Sequence, residues 1–179
     1  MRRLLENDVV RSLELVREMA IPTADRGYDF SPAWLQKGGL VFVSVDDTGH
    51  CSDEAIDRIV AAQLSRGHST CLALGALVLP DQLPTCFEFS ISADELRTLN
   101  AECGIFRLLL TCPGVSWAIN SNEWFNLFAG PAALVEKSLG MLIGQARDEC
   151  VLEYAKLMDQ GSDRGLARLS RQDGEGYVE

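Results

Sequence analysis

The spacing of apolar residues near the N-terminus predicts one helix followed by irregular structure. Apolar side chains recur at helical spacing from Leu5 to Ala20, and this pattern ends before Pro22, which is typical of an amphipathic helix. From residue 23 to residue 39 the Gly, Pro, Asp and aromatic residues follow neither a helical nor a strand period. We therefore expect a long loop there, and long loops in compact domains are often functional surfaces.

Two further helices are predicted by their N-terminal caps. Ser52 precedes an acidic first turn and an apolar stripe that runs toward Gly67, and Ser92 begins a Ser-x-x-Glu capping box before a stripe that ends at Gly104. A serine hydroxyl accepts a hydrogen bond from a free N–H of the first turn, and carboxylates there interact favourably with the helix dipole. Nearer the C-terminus, helices are expected at 131–140 and 142–158.

Apolar and alternating runs predict the strands of a sheet. Runs of this kind occur at 40–45, 70–79, 85–91, 105–111, 115–120 and 123–128. The second and third runs are joined by a turn that contains Pro80 and Pro84, and the last two flank Ser121 and Asn122. Each of these two pairs is therefore expected to form a hairpin.

These elements together predict the fold class and the domain organisation. We expect a single α/β (α+β) domain over residues 1–160, with a mixed, mainly antiparallel sheet of about five or six strands flanked by helices. A chain of 179 residues of which 47% are hydrophobic is long enough for one core without metals or disulfides. Residues 161–179 contain glycines, serines and charges but few apolar residues, so they are expected to form a polar tail.

The charge of the chain restricts its partners. The net charge is −10 and the pI is about 4.7, so the protein repels phosphate backbones and nucleic acid is not expected as a partner. A basic protein would be attracted instead. This balance favours a protein partner of opposite charge over any polyanion.

The apolar runs and the cysteines bear on the cellular compartment. No run approaches the roughly 18 apolar residues of a membrane span, and charges interrupt the N-terminal apolar residues, so neither a signal peptide nor a membrane partner is expected. The six cysteines include no Cys-x-x-Cys pair, and most lie in apolar segments, where a free thiol behaves as a small hydrophobe. A cytoplasmic protein with reduced thiols, without cofactor or bound metal, is predicted.

Acidic and aromatic residues supply the candidate binding surface. Some of the carboxylates follow the predicted strand at 40–45, and others lie in the first turns of the helix that begins after Ser52. Further acidic residues lie in the first turn of the helix after Ser92. The aromatic residues lie in the last predicted hairpin. The residues predicted to bind a partner are Asp46, Asp47, Asp53, Glu54, Asp57, Trp124 and Phe125.

An enzyme is the alternative, centred on the turn from Asp46 to Asp53 and on His68. His50 and Cys51 in that turn offer nitrogen and sulfur, and a histidine near a thiol or a carboxylate is a common arrangement for hydrolysis or metal binding. If His50 and His68 share a concave pocket with Cys51 or Asp47, this hypothesis gains support. The sequence contains no complete catalytic constellation, so no catalytic or metal-binding residue is predicted.

A resemblance comes from the C-terminal half of the domain. The run from Trp117 to Pro131, followed by Leu134-Val135-Glu136 and Leu139-Gly140, resembles the strand–strand–helix pattern of small bacterial immunity-type and uncharacterised proteins. It covers about a fifth of the chain. The resemblance implies inhibition of a toxin by direct binding, often through acidic surface residues.

The sequence therefore favours a non-enzymatic protein-binding protein, immunity-like or regulatory, that presents an acidic face to a basic partner. The small hydrolase or metal-dependent enzyme described above remains the first alternative. A homo-oligomeric structural protein is the second, because Trp124, Phe125 and Phe128 offer an apolar surface for a homodimer.

Overall fold

Six helices and nine strands occur in the part of the chain that the computed structural model describes, which comprises residues 1–22, 28–45, 51–75, 83–103, 108–121 and 126–159. The helices are α1 (Glu6–Val16), α2 (Pro32–Gly38), α3 (Asp53–Leu64), α4 (Ala93–Cys103), α5 (Ala132–Leu139) and α6 (Ile143–Asp159). The strands are β1 (Arg2–Arg3), β2 (Ala20–Pro22), β3 (Tyr28–Phe30), β4 (Val41–Val45), β5 (Thr70–Gly75), β6 (Cys86–Ser90), β7 (Leu108–Thr111), β8 (Ala118–Ser121) and β9 (Asn126–Gly130).

Seven of these strands form one sheet in the order β1-β6-β5-β7-β8-β9-β4, and β2 and β3 form a separate pair. Each of these pairings is antiparallel. The predicted α+β domain with a mainly antiparallel sheet is confirmed. The main sheet was expected to be mixed and to have five or six strands, but it has seven, and its described pairings are all antiparallel. No helix of the described ranges is long and apolar enough to cross a bilayer.

The sheet is buried on both faces, because apolar side chains occupy successive positions of its central strands. Cys71 and Ala73 of β5 face one core, whereas Leu72 and Leu74 face the other. The first core contains side chains of α3, α4, α5 and α6, and the second contains side chains of α1, α2 and β3. The molecule is therefore a three-layer sandwich with helices on both sides of the sheet.

The helix ends follow the capping residues seen in the sequence. Ser52 Oγ accepts a hydrogen bond from the Ala55 N–H at 3.2 Å, and Ser92 Oγ accepts one from the Glu95 N–H at 3.3 Å. Gly140 ends α5 with φ +75°, a left-handed conformation that favours glycine. The predicted boundaries of these helices are confirmed at their capped ends.

Three local predictions need correction. The helix expected from Leu5 to Ala20 ends at Val16, and Ala20 begins β2. The loop expected at 23–39 contains β3 and α2, because Phe30 and Leu35 are buried in the second core and Ser31 caps α2. The last hairpin was expected to turn at Ser121 and Asn122, but Ser121 pairs with Asn126, which leaves residues 122–125 as its connection. This register sets Ile119 opposite Phe128, and both side chains lie in the first core.

Truncation of core leucines in the central strands should strongly destabilise the protein. Leu74 and Leu109 are fully buried, so Leu74→Ala or Leu109→Ala should lower the free energy of unfolding by about 2–5 kcal/mol through lost burial and a residual cavity. Urea unfolding followed by circular dichroism measures this change. Leu5 is 78% exposed, and Leu5→Ala is the matched control with an expected change within about 0.5 kcal/mol. Equal losses in all three variants would contradict the proposed core.

Candidate functional site

Three of the predicted binding residues lie together at the exposed start of α3. The side chains of Asp53, Glu54 and Asp57 are 80%, 85% and 58% exposed. They occupy the first two turns of a helix that Ser52 caps, where carboxylates interact favourably with the helix dipole. The structure therefore brings these carboxylates together on the surface, as the sequence predicted.

Arg97 of α4 connects this cluster to the neighbouring helix, which the sequence did not indicate. Its Nε donates to Asp53 Oδ1 at 3.0 Å, its Nη2 donates to Asp57 Oδ1 at 2.6 Å, and its Nη1 lies 3.8 Å from Asp94 Oδ1. The hydrogen bond to Asp53, reinforced by the charge of Asp57, raises the pKa of Arg97, so the guanidinium stays charged. Arg97 lies 44 residues from Asp53 and 40 residues from Asp57 along the chain, so no local sequence pattern could reveal these contacts.

A second arginine reduces the charge of the same surface. Arg58 Nη1 donates to Glu54 Oε1 at 2.7 Å, one helical turn along α3. We call the group formed by Asp53, Glu54, Asp57 and Asp94 the α3–α4 acidic surface. With Arg58 and Arg97 included, the six side chains carry a formal net charge of −2, so the surface is acidic but partly neutralised.

Several predicted residues lie outside the described residues. These are Asp46, Asp47, His50, Trp124 and Phe125. The polar tail at 161–179 also lies outside the described ranges. Phe128 is described, and its side chain is only 6% exposed in the first core, so the expectation that it contributes to a surface for a homodimer is wrong.

Cys51 and His68 do not form one site. Cys51 precedes α3 and His68 follows it, and a helix of 12 residues is about 18 Å long. The Cys51 backbone instead makes two hydrogen bonds with the Asn100 side chain, both at 3.1 Å. A cavity of about 40 Å³ lies behind Cys51 and Asn100 between the helices and the sheet, which is far smaller than a typical ligand pocket of about 300 Å³ or more.

A second group of polar side chains surrounds His68. Its Nδ1 lies 2.7 Å from Gln63 Oε1, and its Nε2 lies 3.4 Å from Ser116 Oγ. Ser116 Oγ is also 3.4 Å from Cys112 Sγ. We call Gln63, His68 and Ser116 the His68 cluster. The sequence indicated His68 but not its two partners, because Gln63 comes from the last turn of α3 and Ser116 from a loop distant in the chain.

A helix C-cap aligns Gln63 with His68. After α3, Gly67 adopts φ +78°, and the backbone N–H of His68 donates to the Gln63 carbonyl at 3.2 Å. This left-handed glycine turns the chain back toward the helix, so the His68 ring meets the Gln63 side chain. The Gln63 side chain is 2% exposed, and its fixed position orients the imidazole.

The loop that carries Ser116 is held from three directions. Buried Thr111 donates to the Trp117 carbonyl at 2.6 Å, and the Val115 N–H donates to the Cys112 carbonyl at 2.9 Å. Trp34 of α2 donates through Nε1 to the Val115 carbonyl at 3.0 Å. Val115 has φ +42°, an uncommon conformation for a β-branched residue, so this turn stores backbone strain. These contacts fix Ser116 at the surface.

Burial controls the protonation of the groups around the loop. Desolvation, reinforced by the nearby charge of Arg66, lowers the pKa of His68 below its usual 6.5, which favours a neutral imidazole at pH 7. Desolvation also raises the pKa of the Cys71 thiol well above its usual range. Trp117 lies with its ring centroid 6.3 Å from that of His68, and its buried Nε1 finds no hydrogen-bond acceptor among the described residues, where apolar packing holds the ring.

Metal binding finds no support among the residues that the structure describes. Within them, no three His, Cys, Asp or Glu side chains converge as ligands of one ion. The carboxylates of the α3–α4 acidic surface are instead engaged by arginines. The metal hypothesis for the turn from Asp46 to Asp53 depends on residues outside the described ranges.

The lowered pKa of His68 predicts a definite pH dependence of stability. The unfolded chain takes up a proton at His68 near pH 6.5, and the folded chain does so at lower pH, so the free energy of unfolding should fall as pH drops through 6.5. NMR of the imidazole carbons should give a His68 midpoint below 6.5. His68→Gln should remove this part of the pH dependence, whereas a midpoint at or above 6.5 would contradict the burial of the ring.

Comparisons with known proteins leave these surfaces unassigned. Searches against protein-family models, curated proteins and solved structures found no match to this chain. The inference of function therefore depends on two described groups of side chains, the α3–α4 acidic surface and the His68 cluster.

Proposed function

We propose that the protein is a protein-binding protein that presents the α3–α4 acidic surface to a basic partner, and that this binding function is non-enzymatic. The observation that carries this proposal is the exposed group of Asp53, Glu54 and Asp57 at one capped helix end. We infer that this role is immunity-like or regulatory and is carried out in the cytoplasm. The resemblance to small bacterial immunity-type proteins and the acidic composition support this inference. In the immunity-like form the basic partner is a toxin.

Preorganisation supports a binding role for these carboxylates. Arg97 holds Asp53 and Asp57 through one oxygen of each carboxylate, and a carboxylate has acceptor capacity for further donors. Side chains that are already ordered lose less conformational entropy on association. A lysine or arginine of a partner would therefore meet fixed acceptors on the outer side of Asp53 and Asp57.

Long-range charge supports the same role. The chain has a net charge of −10, and the α3–α4 acidic surface keeps a net negative charge after its arginines are counted. Such a field accelerates encounter with a cationic protein and sets specificity more than it sets affinity. Asp46, Asp47, Trp124 and Phe125 remain predicted contributors to the partner surface.

The test begins with capture of the partner from the native host and its identification by mass spectrometry. The association rate of the purified pair should then fall steeply as ionic strength rises, because the Debye length is about 10 Å at 0.1 M salt. The combined charge reversal Asp53→Lys, Glu54→Lys and Asp57→Lys should lower the association rate by about tenfold or more. Arg97→Gln should raise it, because it uncovers negative charge on the same surface.

A matched variant separates local from overall charge. Glu14→Lys, Asp148→Lys and Glu149→Lys together change the net charge equally at exposed positions of α1 and α6, and should leave the association rate nearly unchanged. Circular dichroism must show that each variant keeps its helices, since Asp53 and Glu54 also stabilise the start of α3. If salt and the α3 reversal both leave the rate unchanged, the acidic surface is not the binding site.

A further inference from the structure

The His68 cluster has the connectivity of a nucleophile, a base and an orienting group. Ser116 is exposed, His68 is half-buried and Gln63 is buried, so solvent access decreases from the surface inward. The Ser116 Oγ to His68 Nε2 distance is 3.4 Å, and the His68 Nδ1 to Gln63 Oε1 distance is 2.7 Å. Serine–histidine pairs are often this loose without substrate and become shorter in the reacting complex.

Gln63 determines which imidazole nitrogen carries the proton. Its Oε1 accepts a hydrogen bond only from a protonated Nδ1, which leaves the lone pair of Nε2 directed toward Ser116 Oγ. Gln63 thus acts as a positioning residue, in the role that a carboxylate has in the Ser-His-Asp triad. Because it is neutral, it orients the base without adding a negative charge beside it.

The backbone around Ser116 also favours a nucleophile. The positive φ of Val115 and the three hydrogen bonds that hold the loop fix Ser116 Oγ on the side of His68. Cys112 Sγ, 3.4 Å from Ser116 Oγ, can donate a weak hydrogen bond to that oxygen as it loses its proton. Strained, over-determined turns of this kind are frequent at reactive residues.

We propose that Ser116 is an acyl-accepting nucleophile, with His68 as its base, toward small activated esters. Ser116 Oγ bonds to the ester carbonyl carbon as its proton moves to His68 Nε2. The C–O bond to the leaving alcohol then breaks, and the alcohol takes that proton. Water next attacks the acyl carbon, gives a proton to His68 and releases the acid, while Ser116 Oγ recovers its proton.

The experiment uses para-nitrophenyl acetate to measure turnover and a fluorophosphonate probe to trap the nucleophile in the intact chain. Peptide mass spectrometry should locate the phosphonyl group on Ser116. Ser116→Ala should abolish both signals, and His68→Gln should lower them by about 10²–10⁴-fold. Ser69 is exposed and adjacent to His68, so Ser69→Ala is the matched control and should change neither signal.

The pH profile separates a reactive site from a merely structural hydrogen bond. The labelling rate of the wild-type protein should fall as pH drops through the pKa of His68, below 6.5, because the protonated ring cannot accept the Ser116 proton. Gln63→Glu should move this midpoint to higher pH, and Gln63→Leu should lower the rate, with folding verified by circular dichroism. The proposal is overturned by absence of labelling, by equal labelling of other serines, or by a rate that His68→Gln leaves unchanged.

Discussion

The structure depends on a sheet that must be covered on both faces. Central strands with apolar side chains at successive positions cannot leave either face in water, and the two cores on opposite sides of β5 and β7 meet this requirement. Helices therefore occupy both outer layers. The surface available for function is therefore the outer side of those helices and the turns at the ends of the strands. The α3–α4 acidic surface and the His68 cluster both lie there.

The helix α3 connects these two groups while keeping them apart. Its N-terminal end carries Asp53, Glu54 and Asp57, and its C-terminal end carries Gln63 and leads to His68. The C-terminal end of a helix favours a protonated histidine, yet desolvation and the charge of Arg66 act in the opposite direction and lower the pKa of His68. A separation of about 18 Å exceeds the Debye length at physiological salt, so the direct charge interaction between the exposed groups at the two ends is largely screened.

Local signals predicted the fold better than they predicted the candidate sites. The caps at Ser52 and Ser92 depend on residues three apart, which a sequence displays directly. The missed α2 has few residues and gains its stability from burial of Leu35, which periodicity cannot show. Arg97 and Ser116 meet their partners only after the strands pair and the helices pack, so their roles depend on tertiary structure that no local pattern encodes.

The hydrogen bond from Trp34 to the Val115 carbonyl joins an outer helix of one layer to the loop that carries Ser116. On the other side of that loop, the ring of Trp117 lies beside His68. Two of the chain's three tryptophans therefore flank the same turn, Trp117 within the first core and Trp34 packed against the second. Tryptophan fluorescence is therefore an intrinsic optical probe of this loop. A change at Ser116 would affect Trp34 through the Val115 carbonyl and Trp117 through the His68 imidazole.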